Sequence, residues 1–426
     1  MIAHIDADSF FASVLMRKDP RLRGKPLLAL GMGGGCVIAA SYEAKDKGVK
    51  TGMPLKEALM LVPNAIRMPA DFRETAIASH EIEAIIGDEG PLLEQMSVDE
   101  WFLDLQSLRG GIPQDPLRWG KNLQAKILSK TALSVSIGIG PSKLLAKMAG
   151  EYRKPAGVTW VSHHEAAKFP KISWDRNIPV LRNFREFGPL SLELFLKDRP
   201  AAAIPGIGQR RGVHAQAQQW KTAWDIATAD TEKISMLFGK PGREMQQELL
   251  GQCLSPVTTD EEPPKSISRV RSFKPTNDRA FVWGNVLRHL EYVILKMRRQ
   301  DLACKGVGVW LRTGSDYHHT GGNKRLPQAI GLENQLLPYV ESLFDAAYEK
   351  KTRYSQAGLG IFHLCPRSNP QYSLFERPQQ RDREEQIQHT LDDLHTRYGR
   401  NAITRGAALG VSSQTMPQLD FSVIND

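Results

Sequence analysis

Ser97-Val98-Asp99-Glu100, continued by Trp101-Phe102-Leu103-Asp104-Leu105, sets two adjacent carboxylates at the head of an apolar run that reads as a strand. Far upstream, Ile5-Asp6-Ala7-Asp8 ends another apolar run with carboxylates. Ile5 and Val98 place Asp6, Asp99 and Glu100 beside residues expected to be buried, where acids seldom stand unless paired or metal-bound. Asp8 and Asp104 read as ordinary strand-end acids. Hard oxygen ligands gathered from separate strand edges suit Mg²⁺, which takes few carboxylates and keeps positions for substrate phosphates. Two such ions about 3.5–4 Å apart support an in-line phosphoryl displacement. The expectation is a metal-dependent nucleotidyl transferase.

The bulk composition narrows the alternatives. The chain has 426 residues, 41% of them hydrophobic, enough for several packed domains and too apolar for global disorder. No apolar run approaches the roughly 20 residues of a membrane span. Met1-Ile2-Ala3-His4-Ile5-Asp6 lacks the basic head of a signal peptide, so a cytoplasmic protein with no membrane partner is expected. Cys36, Cys253, Cys304 and Cys365 form no CxxC pair, which argues against zinc and against a disulfide scaffold. The formal charge is +9, and residues 265–364 carry +8 of it, with 16 Lys and Arg against 8 Asp and Glu. Charge concentrated in one segment points to contact with a phosphate backbone.

Short strands are expected over 2–6, 26–30, 36–40, 101–105 and 133–139, with a Gly turn at 32–35 and helices over 55–61 and 74–86. Interleaving of this kind indicates an α/β or α+β layered core. Residues 162–258 turn mostly helical and contain Pro205-Gly206-Ile207-Gly208. The acidic, Pro-containing stretch 258–264 reads as a linker. Beyond it, 265–364 is a second mixed unit with a helix over 283–299 and strands over 306–311 and 357–363. A polar tail follows, with a charged helix over 383–398.

Tyr42 and Lys45 lie three apart, on one face of a helix, where a hydroxyl and an ammonium can hold a triphosphate. A plain surface helix explains the same spacing. The ordered motifs are more specific. Asp6-Ala7-Asp8-Ser9-Phe10-Phe11-Ala12-Ser13-Val14, Gly24-Lys25-Pro26, Ala39-Ala40-Ser41-Tyr42-Glu43-Ala44-Lys45, Gly48-Val49-Lys50-Thr51-Gly52-Met53-Pro54, Ser97-Val98-Asp99-Glu100, Gly138-Ile139-Gly140-Pro141-Ser142-Lys143-Leu144-Leu145-Ala146-Lys147 and Lys154-Pro155-Ala156-Gly157 occur in one chain. Together they resemble the Y-family of translesion DNA polymerases. The closest likeness is to the bacterial polymerase IV branch, with features similar to the polymerase V catalytic subunit.

The resemblance implies an α+β multidomain right hand. Its palm would be residues 1–10 and 72–161, its small fingers 11–71, its helical thumb 162–258 with a helix-hairpin-helix, its linker 259–264, its α/β little finger 265–364, and its tail 365–426. Asp6, Asp99 and Glu100 would be catalytic, and with the Ala7 carbonyl would hold two Mg²⁺ ions. Tyr42, Lys45 and Lys154 would contact the nucleotide. Lys45 stands where the family often has Arg, so a point charge replaces a bidentate fork. Phe11 would be the steric gate against a ribose 2′ hydroxyl. Ala39 and Ala40 would leave room in the base-pair pocket for damaged bases, at the cost of fidelity.

Gly206 and Gly208, with Arg210 and Arg211 behind them, would bind a DNA backbone. Arg269 and Arg271 would do so from the first little-finger strand, sharing related positions with Ser266 and Ser268. Gln371-Tyr372-Ser373-Leu374-Phe375 resembles the bacterial sliding-clamp peptide, with Leu374 and Phe375 in an apolar pocket and Gln371 at its rim. The implied partners are primer-template DNA, deoxynucleoside triphosphates and the clamp, and the implied state is a monomer acting in DNA-damage tolerance and the SOS response. The alternative is a non-catalytic relative acting as an adaptor between DNA and clamp, though such relatives typically lose the acids retained here.

Overall fold

β1 (Ile2–Ala7) is buried along its whole length, and the site is built around it. The computed structural model describes residues 1–31, 35–162, 189–259, 263–314, 318–367, 378–399, 402–409 and 411. The described residues up to Thr259 form one compact unit and those from Pro263 a second.

The first unit contains, after β1, β2 (Leu27–Leu30), β3 (Val37–Ala40), β4 (Ile66–Pro69), β5 (Leu93–Gln95), β6 (Glu100–Asp104), β7 (Val135–Gly140), β8 (Val158–Ser162) and β9 (Leu190–Ser191). They make a sheet of order β5-β6-β1-β7-β8-β9 and a small sheet β3-β2-β4. β1 runs antiparallel to both β6 and β7, with Asp6 opposite Glu100 on one side and Ser136 on the other. Because side chains alternate along a strand, Ala3, Ile5 and Ala7 share one face with Trp101, Leu103, Ile137 and Ile139. That face packs against the helices Phe72–Gly87 and Pro116–Thr131.

His4 and Asp6 point to the opposite face, which the helix Lys143–Tyr152 covers. Ser142 caps this helix by accepting from the Leu145 N–H. The helix sits so close that a Cβ on Gly138 would lie 2.0 Å from the Ala146 carbonyl oxygen and 2.1 Å from the Gly150 nitrogen. The Gly-Ile-Gly spacing of β7 thus serves close approach of a helix to a strand.

The small sheet has its own cores. Leu28, Val37 and Ala40 pack with Ala44 and Ala58, while Leu27, Ala29 and Ala39 meet Ala12 and Leu15 of the helix Phe10–Lys18. Helices from Leu192–Asp198 to Thr231–Leu249 close around Phe195, Leu196, Ile204, Ile207 and Ile234.

The second unit is a sheet of order β10-β13-β11-β12, from β10 (Ser266–Thr276), β11 (Leu302–Thr313), β12 (His319–Ile330) and β13 (Tyr354–Pro366). The helices Arg279–Arg299 and Glu333–Ala347 cover one face. β12 is polar and mostly exposed, an edge strand held by pairing with β11, and periodicity did not predict it. The helix Glu333–Ala347 was also not expected. The helix expected over 383–398 is present as Pro378–Tyr398, and it packs on this unit, which its polar sequence did not indicate. Its Asp392 accepts from the buried Arg298 at 2.6 Å, and Arg405 beyond it pairs with Glu333. Among the described residues no helix is long and apolar enough to cross a membrane. The clamp-like peptide with Gln371, Leu374 and Phe375, residues 260–262 of the linker and 32–34 of the Gly turn lie outside the described residues.

Candidate active site

Asp6 and Glu100 face each other across the β1–β6 pair, and His4 stands two residues before Asp6 on the same face. One ligand atom from each lies within 4.8 Å of the others. Asp6 is 5% exposed and His4 0%. Two lysines complete the group: Lys154 Nζ is 2.7 Å from Asp6 Oδ1 and also 2.7 Å from Glu151, while Lys147 Nζ is 2.6 Å from Glu100 Oε2. Both come from the helix Lys143–Tyr152 or the turn after it, so the glycine-enabled approach of that helix delivers the cations.

The electrostatics follow from burial and charge. Burial pushes Asp6 up to about 7, against the pull of the Lys154 ammonium. The His4 ring and then the Lys147 ammonium hold Glu100 down at about 2, outweighing its partial burial. The His4 contact is long, 3.8 Å to Oε2, so Lys147 is the firmer geometric anchor. Burial depresses His4, leaving it neutral, and neither ring nitrogen has a hydrogen-bond partner. Burial would lower Lys154, but Asp6 and Glu151 outweigh it and raise it.

These residues fit a divalent cation. Two carboxylates converge in a largely buried place, and each already draws an ammonium, the charge that a bound ion would supply. Oxygen donors suit Mg²⁺, and the buried imidazole, 3.8 Å from Glu100, is the donor of the three least suited to a hard ion. Asp99 stands outside this group. It is half-buried, and its Oδ1 accepts from the Ser97 hydroxyl at 2.5 Å. Ala7 precedes the sharp turn out of β1, and its N–H donates to the Asp99 carbonyl at 2.9 Å.

Tyr42 and Lys45 share the short helix Tyr42–Lys45, with Lys45 Nζ 4.7 Å from the Tyr42 ring centre. Burial and then the Lys154 charge lower Lys45, and burial and the Asp8 charge raise Tyr42. Phe11 is half-buried and backed edge-to-face by Phe72, ring centres 5.8 Å apart. Ala39 and Ala40 are 6% and 0% exposed and face opposite sides of β3, each buried in one of the two small cores. Asp8 is more central than its reading as an ordinary acid allowed: it is 1% exposed and accepts from Tyr42, Ser136 and the Ala156 N–H. His4 and Lys147 were likewise missed. The i, i+2 relation of His4 to Asp6 was the one local signal; the others depend on contacts far apart in sequence.

Gly206, at φ +93°, turns the chain from the 3-10 turn Ala201–Ala203 towards the helix Gln209–Ala217, whose N-cap is Gly208. Arg210 is exposed, whereas Arg211 folds back and donates to the Gly206 carbonyl at 3.0 Å. The grouping of Arg269 and Arg271 with Ser266 and Ser268 is corrected. Strand parity puts the two serines on the open face and both arginines on the helix-covered face. There Arg269 lies 4.6 Å from the Tyr292 ring centre, and burial, then Arg288, lowers Arg271.

The impB/mucB/samB family model matches residues 5–151, and the model of that family's C-terminal domain matches 264–374. DNA polymerase IV of Moorella thermoacetica is 31% identical over 415 residues, covering 95% of each chain. The chain belongs to the Y-family of DNA polymerases, of the polymerase IV type. It is a DNA-directed DNA polymerase of the metal-dependent, translesion class. DNA polymerase IV of Methanoculleus marisnigri is 30% identical, over 75% of this chain and 82% of its own. Among solved structures, a Y-family chimera of Dbh and Dpo4 segments matches at TM-score 0.67 with 21% identity, covering 86% of this chain and 99% of that one. DinB from Sulfolobus solfataricus matches at 0.53 with 22% identity, over 86% and 99%. The fold is therefore the right hand of a Y-family polymerase, and its palm sheet carries the carboxylate group.

Proposed function

We propose that the protein extends a primer 3′ end with deoxynucleotides, using two Mg²⁺ ions held by Asp6, Asp99, Glu100 and the Ala7 carbonyl. The observation that carries this reading is the convergence of Asp6 and Glu100 across β1 and β6 in a buried, cation-seeking group. Bound there, the ions would neutralise charge at the α-phosphate and leaving pyrophosphate and acidify the 3′ hydroxyl. Glu100 is ionised far below neutral pH and stands ready as a ligand. Lys154, relieved of Asp6, turns its ammonium to the triphosphate beside Tyr42 and Lys45. Phe11, backed by Phe72, excludes a 2′ hydroxyl.

The thumb hairpin and the open face of the second unit's sheet supply the DNA contacts. Ser266, Ser268, Arg312, Asn323 and Arg325 occupy that face by register, a polar and cationic set with no acid among them. Such contacts position a duplex without reading sequence. Small residues in β3 support tolerance of damaged templates and low fidelity.

Primer extension on undamaged and abasic templates with Mg²⁺ tests the reading. Glu100→Ala should lose extension by several orders of magnitude while binding primer-template normally. An intact protein that binds DNA without extending it would favour the adaptor role instead. The sliding clamp is the proposed partner of Gln371, Leu374 and Phe375. Replacing Leu374 and Phe375 by Ala should spare basal synthesis and remove stimulation by added clamp; equal stimulation would assign that pentapeptide no role.

A further inference from the structure

We infer that Asp8 is a positioning residue for the incoming nucleotide, tying the two triphosphate contacts to the strand that carries the metal ligands. Its carboxylate receives three donors from three separate parts of the chain. Oδ1 accepts from the Ser136 hydroxyl of β7 at 2.7 Å and from the Tyr42 hydroxyl at 3.3 Å. Oδ2 accepts from the Ala156 N–H at 2.9 Å, in the turn that begins at Lys154. Its own carbonyl accepts from Ser13 at 2.6 Å, fixing the start of the helix that carries Phe11. Asp8 is 1% exposed, so these bonds work where water does not compete.

The geometry exceeds what packing requires. A buried acid needs partners, and Ser136 with one backbone N–H would serve that need. Instead, one carboxylate joins the fingers residue Tyr42, the turn of Lys154 and the palm strand two residues from Asp6. A hydroxyl held by a buried carboxylate keeps its ring in one rotamer, which is how a preorganised site avoids ordering its side chains when a ligand arrives. The chemical class positioned is a nucleoside triphosphate. Asp8 acts through Tyr42 and the 154–157 turn, not by touching the reacting atoms.

The inference rests on Tyr42 and Lys154 being triphosphate contacts, so the experiment separates the two. Single-nucleotide insertion by the full chain, with kcat and KM for the incoming nucleotide, DNA affinity and melting temperature, is measured for Asp8→Ala, Asp8→Asn, Tyr42→Phe and Lys154→Ala. Asp8→Ala should raise KM on the order of tenfold, with kcat and DNA affinity within about threefold. Asp8→Asn should restore most of that loss. Its carbonyl can accept from Ala156 while its amide donates to the Ser136 and Tyr42 hydroxyls, which accept as well as donate.

If Asp8→Ala does not fold, Ser136→Ala with and without Tyr42→Phe takes its place, and the two should raise KM less than additively. Asn behaving like Ala, an unchanged KM, or kcat and DNA affinity falling together would each overturn the positioning role. If Tyr42→Phe and Lys154→Ala raise KM while the Asp8 or Ser136 variants do not, this inference alone fails. If neither contact variant moves KM, the nucleotide reading falls and takes the inference with it.

Discussion

Ser9 adopts φ 48° and ψ 44°, and that single left-handed residue turns β1 into the helix beginning at Phe10. A non-glycine residue in this region carries strain, and such strain concentrates where a site needs an abrupt change of direction. The turn sets Phe11 within five residues of Asp6, with Phe72 behind it. A backed ring is a firm wall, so Phe11→Ala should lower the preference for deoxy- over ribonucleotides by about 10- to 200-fold. Competing insertion of the two sugars at one template position checks this; unchanged selection would remove the gate role. The cluster of His4, Asp6 and Glu100 belongs to this scale too. Its members were readable as strand-borne acids, but the neutral imidazole beneath them was not, because a lone His in an apolar run looks like any core residue.

The helix Lys143–Tyr152 and strand β7 form the element pair on which the site depends. Gly138 allows their backbones to touch, and Lys147 and Lys154 reach the carboxylates only at that separation. Gly138→Ala forces a methyl group into the Ala146 carbonyl and the Gly150 nitrogen, backbone atoms that cannot swing aside. Overpacking usually costs about 1–3 kcal/mol, and backbone collision places this case at the upper end. Thermal melting should show a drop of several degrees, accompanied by loss of activity as both lysines retreat. An unchanged melting temperature would show that the helix can slide without cost.

The elements also show where pattern reading fails. Residues 2–6 and 101–105 were legible as strands because covered strands must be apolar. β12 was not, because an edge strand exposed on most of its length carries no hydrophobic signal. Arg269 and Arg271 of β10 lie on the helix-covered face, because alternation separates these odd positions from Ser266 and Ser268 whatever their charge.

At the scale of the whole molecule, the positive charge is segregated. Residues 265–364 hold +8 of the +9, and their sheet has an open face furnished with Arg312, Asn323 and Arg325. Counterion release then predicts a steep salt dependence of primer-template affinity. Neutralising about six phosphates gives a log–log slope of about −5. Titration of binding between low and moderate salt measures it, and a slope near zero would deny that the charge meets a backbone. The helix Pro378–Tyr398 bears on the same unit. Its Asp392 satisfies Arg298, whose side chain is 3% exposed, so the charged helix legible in the tail is also part of the fold.

Motifs held in order carry the family, and residue type along the chain carries which acids stand at strand ends, because period-two alternation and burial are local consequences of residue type. The balance of charged residues likewise makes the second unit basic. That Asp6 and Glu100 face each other with His4 beneath, that Lys147 and Lys154 stand upon them, and that Asp8 is a junction follow from the folded arrangement. Those facts depend on register between strands distant in the chain and on how closely one helix settles onto glycine, and no local property of the sequence encodes a distance between residues so far apart.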